Sequence, residues 1–273
     1  MSARAGLALR VAPPPVSGWL LVAAAVLAAL ATLLAAPPAV WADWAVSSAT
    51  AGRLRLAQAE GTLWDGRARL VLADPTARAE PGAVHALDGV VLPGAASWRL
   101  SALPLAIGLL DASVRIDGMR EPMRLTGSPS EVRGGAGSLA LPPVRLDRLG
   151  SPWNTVQPEA AVALAWEPFT LRAGRFDGKA TLELRDVSSA LLAVRPLGTY
   201  RVDVTGAGGQ GALAMTTLVG PLRLEGSGSF TPAQGVRFAG WAWSDAAQRG
   251  QLAPLLGLLG RREGDRTAIK IGG

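Results

Sequence analysis

RLRLAQAEGTLWDGRARLVL, residues 53–72, alternates apolar and charged side chains at both ends: Leu54 and Leu56 against Arg53 and Arg55, then Ala68, Leu70 and Leu72 against Arg67 and Arg69. Successive side chains of a strand point to opposite faces, so a period of two reads as two half-buried strands. Between them lie Gly61 and Gly66, which suit a turn or a close approach of backbones, and Asp65-Gly66 is a favoured hairpin corner. The expectation is an antiparallel β-protein.

Downstream the same period recurs. Trp98 and Leu100 oppose Arg99 and Ser101, and Ala112, Val114 and Ile116 oppose Ser113, Arg115 and Asp117. Residues 73–96 hold Pro75, Pro81, Gly82, Pro93 and Gly94 and read as loop, with a brief strand within 84–92. Leu103 to Leu110 is too short for a membrane span and contains Pro104 and Gly108, so a buried turn or short helix is expected. Pro142-Pro143 marks a boundary, dividing the β-region into halves of 45–145 and 150–273. The segment Ala180–Leu184 lies fourteen residues after Trp166, as Ala112–Ile116 lies after Trp98, a weak internal repeat. Strands follow at Tyr200–Val204, Leu213–Met215, Leu222–Phe230 and Val236–Trp243. Leu252, Leu255, Leu256 and Leu259 then change the period to that of a helix, with Pro254 expected in its first turn, and Thr267, Ile269 and Ile271 give a last strand.

Upstream, Trp19–Ala36 (WLLVAAAVLAALATLLAA) is apolar except for Thr32, and no charge falls between Arg10 and Asp43. A bilayer core about 30 Å thick needs about 20 apolar helical residues to cross it. Residues 16–38 are therefore expected to form a transmembrane helix, with 1–15 cytoplasmic and 43–273 a periplasmic β-rich domain, since Arg4 and Arg10 obey the positive-inside rule. Trp19, Trp41 and Trp44 read as interfacial anchors, and Ala45–Gly52 as a short connector. The competing reading is a cleaved signal peptide cut near Val40-Trp41-Ala42, against which stands an apolar run longer than a usual signal core. The expected fold class is thus mainly β: one N-terminal transmembrane helix, an elongated, curved antiparallel sheet built from two weakly repeated halves, and a short C-terminal helix.

The chain has no cysteine, so an exported domain must stand on its core without disulfides, and thiol chemistry is excluded. A net charge of +6 invites a nucleic-acid reading, but its Arg residues are scattered singly through the strands and Lys179 and Lys270 are the only lysines. No nucleic-acid partner is expected. His85, the single histidine, has Asp88 nearby but no GxSxG serine, and reads as a surface residue. Glu159, Glu167, Asp177 and Glu183 stand isolated among apolar alternations, and no ligand cluster for a metal is spelled out. Gly206, Gly208, Gly209 and Gly211 superficially suggest a phosphate loop, but strands flank them on both sides where that loop would open a helix. No catalytic, cofactor or metal site residues are expected, and no enzyme.

Six stretches carry a resemblance: Gly61–Gly66, Trp98–Leu100 with Leu103–Leu105, Pro196–Arg201, Gly220–Gly228 and Leu255–Arg262, together with the N-terminal apolar segment. In this order the chain is similar to the type II secretion system protein N family. The resemblance implies an accessory subunit of the cell inner membrane, partnered by inner-membrane components of the secretion machinery and by the lipid bilayer, with no active site to transfer. The alternative expectation is an AsmA-like lipid-handling module, in which the sheet's apolar face holds a lipid; no other small-molecule ligand is expected.

Overall fold

The computed structural model describes residues 35–73, 89–128, 130–147, 153–173, 175–231 and 235–272, with Trp19, Val22, 25–28 and Thr32. The chain forms two compact units, 1–37 and 38–273. In the first, the described residues are helical up to Ala35, and the Thr32 hydroxyl donates to the Ala28 carbonyl at 2.8 Å. Among the described residues no helix is long and apolar enough to cross a membrane; much of the expected 16–38 span lies outside them.

The second unit is almost entirely β. Its elements are α1 (Val40–Ala49), β1 (Leu54–Gly61), β2 (Asp65–Ala73), β3 (Gly89–Val91), β4 (Ala96–Leu100), α2 (Ala102–Ala106), β5 (Leu110–Ile116), β6 (Met123–Ser128), β7 (Glu131–Gly134) and β8 (Gly137–Arg145). There follow α3 (Trp153–Val156), β9 (Pro158–Trp166), β10 (Phe169–Arg172), β11 (Arg175–Ser189), β12 (Gly198–Ala207), β13 (Gln210–Val219), β14 (Leu222–Thr231), β15 (Gly235–Ser244), α4 (Arg249–Leu259), β16 (Arg261–Glu263) and β17 (Arg266–Ile271). Every ladder among the described residues is antiparallel, and together they link seventeen strands into one sheet whose two parts, I and II, share β11. Sheet I runs β1-β2-β4-β5-β6-β7-β10, with β3 beside the end of β2 and the first residues of β11 beside β10. Sheet II runs β8-β9-β11-β12-β13-β14-β15-β17-β16.

The period-two reading becomes burial on β2, where Gly66, Ala68 and Leu70 are buried and Asp65, Arg67 and Arg69 exposed. In sheet II it aligns an apolar row across eight strands, Leu139, Leu164, Leu182, Val202, Met215, Gly226, Gly240 and Ile269. The core comprises three clusters. Ala42 and Val46 of α1 cover Leu56, Ala68, Leu70 and Ala96 of sheet I. Val90 of β3 and Met119 of the β5–β6 connection meet Leu139, Leu141 and Val144 of β8. Leu252 and Leu255 of α4 cover Leu197, Tyr200 and Leu222 of sheet II. Tyr200 donates its hydroxyl to the Leu222 carbonyl at 3.0 Å, and burial pushes its pKa well above the ordinary phenol value.

Trp98 and Trp166 are packed alike, although the fourteen-residue spacing does not put them in the same register: Trp98 pairs with Val114 of β5 and Trp166 with Ala180 of β11. Trp98 pairs with Gly66 and donates its indole N–H to the Leu63 carbonyl at 3.1 Å; Trp166 pairs with Gly137 and donates to the Gly135 carbonyl at 3.0 Å. A Cβ on either glycine would lie 2.5 Å from the facing ring, so each tryptophan lies flat on a neighbour without a side chain.

Several local expectations are corrected. The first hairpin turns at 62–64, where Asp65 N–H bonds the Thr62 hydroxyl at 3.1 Å, so Asp65-Gly66 begins β2 and is not its corner. The presumed connector 45–52 is mostly helix, because Asp43 ties α1 to β1. The segment 103–110 contributes to a short helix, α2, as one of its two readings has it, but Leu103 and Ile107 are exposed, because the connection follows β4 beyond the end of the sheet. Pro142-Pro143 does not end its strand; the ladder of β8 with β9 skips them as a bulge between Leu141 and Val144. Pro254 lies inside α4, which begins earlier, at Arg249. The hydrogen bonding passes from sheet I to sheet II at Gly135, and β10 returns to sheet I.

Candidate interaction surface

With no metal-type cluster among the described residues to follow, the polar groups that a β-protein leaves unpaired are its sheet edges. Of the four long edges three are sealed; among the described residues the three-residue β3 pairs with β2 on one side only. Along β1 the outward N–H of Leu54 donates to the Thr50 hydroxyl at 3.1 Å and that of Leu56 to the Asp43 carboxylate at 2.7 Å. Beyond them a bulge, with Gln58 at φ 52°, turns the strand. Along β8, Ala140 N–H donates to the Gly118 carbonyl at 3.0 Å, Met119 bridges Leu139, and Pro142 and Pro143 have no N–H to offer. At the third edge, β10 is four residues long and β11 leaves sheet I after Asp177, whose carboxylate accepts from Gly208 N–H at 2.6 Å.

The fourth edge is open. β16 is three residues long and fully exposed, and beyond Ala268 no strand among the described residues pairs with the outer side of β17. Its chemistry is basic on balance: Arg261, Arg262, Arg266 and Lys270 against Glu263 and Asp265. Arg266 is held in place, its guanidinium 4.5 Å over the Trp243 ring and 3.0 Å from Glu225. A cavity of about 600 Å³ lies over the sheet face inside this edge, reaching from Thr216 of β13 across Glu225, Ser227 and Trp241 to Ala268 and Lys270 of β17. A strand added outside β17 would gain main-chain hydrogen bonds from it.

Asp43 does two tasks in sealing β1: it accepts from Leu56 N–H and forms a two-pronged pair with Arg55, the closest approach being 2.7 Å. Burial works against its ionisation, but the hydrogen bonds from Arg55 and Leu56 outweigh it and hold the carboxyl below the ordinary value. Asp43→Ala is expected to cost about 2–3 kcal/mol, within the range of hydrogen bonds to charged groups, read as a lower urea midpoint. A depressed carboxylate stabilises the fold above its unfolded pKa, and that contribution is lost as pH falls through the folded value. Parent and variant should therefore converge in acid; a gap that persisted there would assign the loss to packing alone.

The acidic residues singled out in the sequence do not come together. Glu183 sits between Arg201 and Arg185, each at 2.8 Å, and the hydrogen bonds from those two hold its pKa down. Glu159 pairs across strands with Ser188 and Arg145, and Glu167 follows β9. Among the described residues no three acidic or histidine side chains converge to hold a metal, and His85 lies outside them. Gly208 and Gly209, both at positive φ, form the two-residue turn between β12 and β13, which accounts for the glycine run. The open edge went unread in the sequence, because its signal is only a three-residue strand of charges after a helix.

No curated protein and no solved structure matches the chain. The family model of type II secretion system protein N matches residues 52–270, which spans both sheets, α4 and the open edge up to Lys270. A domain that seals three of its long edges and leaves that of β17 unsealed is an arrangement suited to a component of a larger assembly, and by that match the chain belongs to the type II secretion system protein N family.

Proposed function

We propose that the chain is an accessory inner-membrane subunit of the type II secretion machinery, anchored by residues 16–38 with residues 43–273 in the periplasm, and that it binds a neighbouring component by strand addition to β17. The observation that carries this reading is the contrast between edges: β1 and β8 are blocked by side chains and turns, whereas β16 and β17 are not. Basic residues along that edge favour an acidic partner strand.

Because the chain has no cysteine, one introduced thiol reports one place. A photo-crosslinker on Arg262→Cys, in membranes that hold the complete machinery, is expected to capture another secretion component, and the same reagent on Gln58→Cys of the sealed β1 edge is not. Equal labelling from both, or from neither, would overturn edge pairing. The lipid-handling alternative draws support from Leu182, Val202, Val204 and Leu213, half-buried apolar residues of sheet II that belong to none of the three clusters. Under that reading the extracted full-length protein carries phospholipid in native mass spectrometry and the Arg262 crosslink is missing.

A further inference from the structure

Three segments distant in sequence meet at one end of sheet I. Pro38, the first residue of the second unit, bridges Thr62 in the β1–β2 turn. Leu100 N–H donates to the Trp64 carbonyl of that turn at 2.7 Å, and Ser101 N–H to the Asp111 carbonyl at 2.9 Å. The 101–109 connection, α2 included, therefore leaves and re-enters the sheet at the end where Pro38 lies.

What these segments present is apolar. Trp44 is 73% exposed, Leu103 85% and Ile107 75%, with Val40, Trp41 and Leu109 also exposed. A groove of about 550 Å³ runs among Val40, Trp41, Trp44, Ala45 and Leu63. No charged residue occurs between Arg99 and Asp111. The charges that flank the patch are neutralised in pairs: Asp43 with Arg55 at 2.7 Å, Asp65 with Arg99 at 3.2 Å, and Asp111 with Arg124 at 3.1 Å. A connection on the surface of a soluble domain is ordinarily polar, and exposed apolar patches mark a contact.

The residue types and the chain's course decide which contact. Tryptophan favours the boundary between lipid headgroups and acyl chains, where its ring is apolar and its N–H hydrated. The apolar run Trp19–Ala36 ends just before Pro38, where the chain enters this end of the sheet. We propose that this end of sheet I rests on a phospholipid surface, with Trp41 and Trp44 at the headgroups and the Leu103–Leu109 connection dipping among them as a second, sequence-distant membrane contact. The inference rests on the anchoring of residues 16–38 proposed above, but the two fail separately.

The test uses the full chain, alone in vesicles of phosphatidylethanolamine and phosphatidylglycerol containing a spin-labelled phospholipid, with an environment-sensitive dye on a single cysteine. Dye at Ile107→Cys is expected to lose at least half its emission to the spin label. Dye at Arg120→Cys, at the other end of β5 and about 20 Å away by the rise of a strand, is expected to keep it. Emission at Ile107 no more quenched than at Arg120 would overturn the proposal. Dye at Leu27→Cys reports the anchor independently: quenching there with none at Ile107 leaves the anchor standing and removes the second contact. No other protein is present, so a docking protein cannot produce the signal.

Discussion

Leu252→Ala is expected to destabilise the second unit by about 3–4 kcal/mol, within the range for buried leucine truncations. Leu252 has no exposed surface, and with Leu255 it is the contact through which α4 reaches Leu197, Tyr200 and Leu222. Little can close over the space it would vacate, because Tyr200 is held by its hydrogen bond to Leu222 and Leu222 N–H is bonded to the Leu197 carbonyl at 3.0 Å. For a domain of this size each kcal/mol moves the melting temperature by about 2–4 °C, so a drop of roughly 10 °C is expected for the full chain in detergent. Leu258, exposed on the same helix, serves as comparison: its truncation should stay within about 0.5 kcal/mol. Equal losses at the two positions would mean that α4 is not the lid of this core.

Gly66→Ala should have the second large effect, about 3 kcal/mol, at the upper end for overpacking. A Cβ there would meet the Trp98 ring at 2.5 Å, the Thr62 carbonyl at 2.8 Å and the Glu60 carbonyl at 2.9 Å. Two of these are backbone, one in the turn that Pro38 bridges and one in β1 where Glu60 pairs with Arg67, and the ring is fixed by its bond to Leu63, so nothing can retreat without breaking a hydrogen bond. The counterpart Gly137→Ala meets only the Trp166 ring, at 2.5 and 2.8 Å, and that ring can tilt at the expense of one bond to Gly135. Its cost should be smaller, about 1–2 kcal/mol. Denaturant midpoints of the two variants check the order, and a larger loss at Gly137 would refute the account of what confines each glycine.

What could be read in the residues was whatever repeats locally. The alternations at Leu54–Leu56, Ala68–Leu72, Ala112–Ile116 and Thr267–Ile271 became strands, and the leucine stripe from Leu252 became a helix, because burial on one face imposes a period on the sequence. α1 imposes none: its residues VWADWAVSSA bury little beyond Ala42, and it is held by Asp43 reaching residues twelve and thirteen positions away. The same limit hid the site. Whether an edge is sealed depends on which distant side chain or turn lies against it, as Thr50 does for Leu54 and Gly118 for Ala140, and no spacing along the chain encodes that. The exposure of the Leu103–Leu109 connection is hidden for a related reason, since apolar composition signals removal from water but not whether protein or another phase provides the cover.

β11 belongs to both sheets, pairing with β10 at its start and with β9 and β12 along the rest. β8, coded with the first half of the chain, pairs with β9 of the second, while β10 crosses back the other way to β7. The two sheets are therefore laced like the fingers of clasped hands. A gene cut at the proline pair would yield two products each missing a rung of its own ladder, so neither would complete its part of the sheet alone.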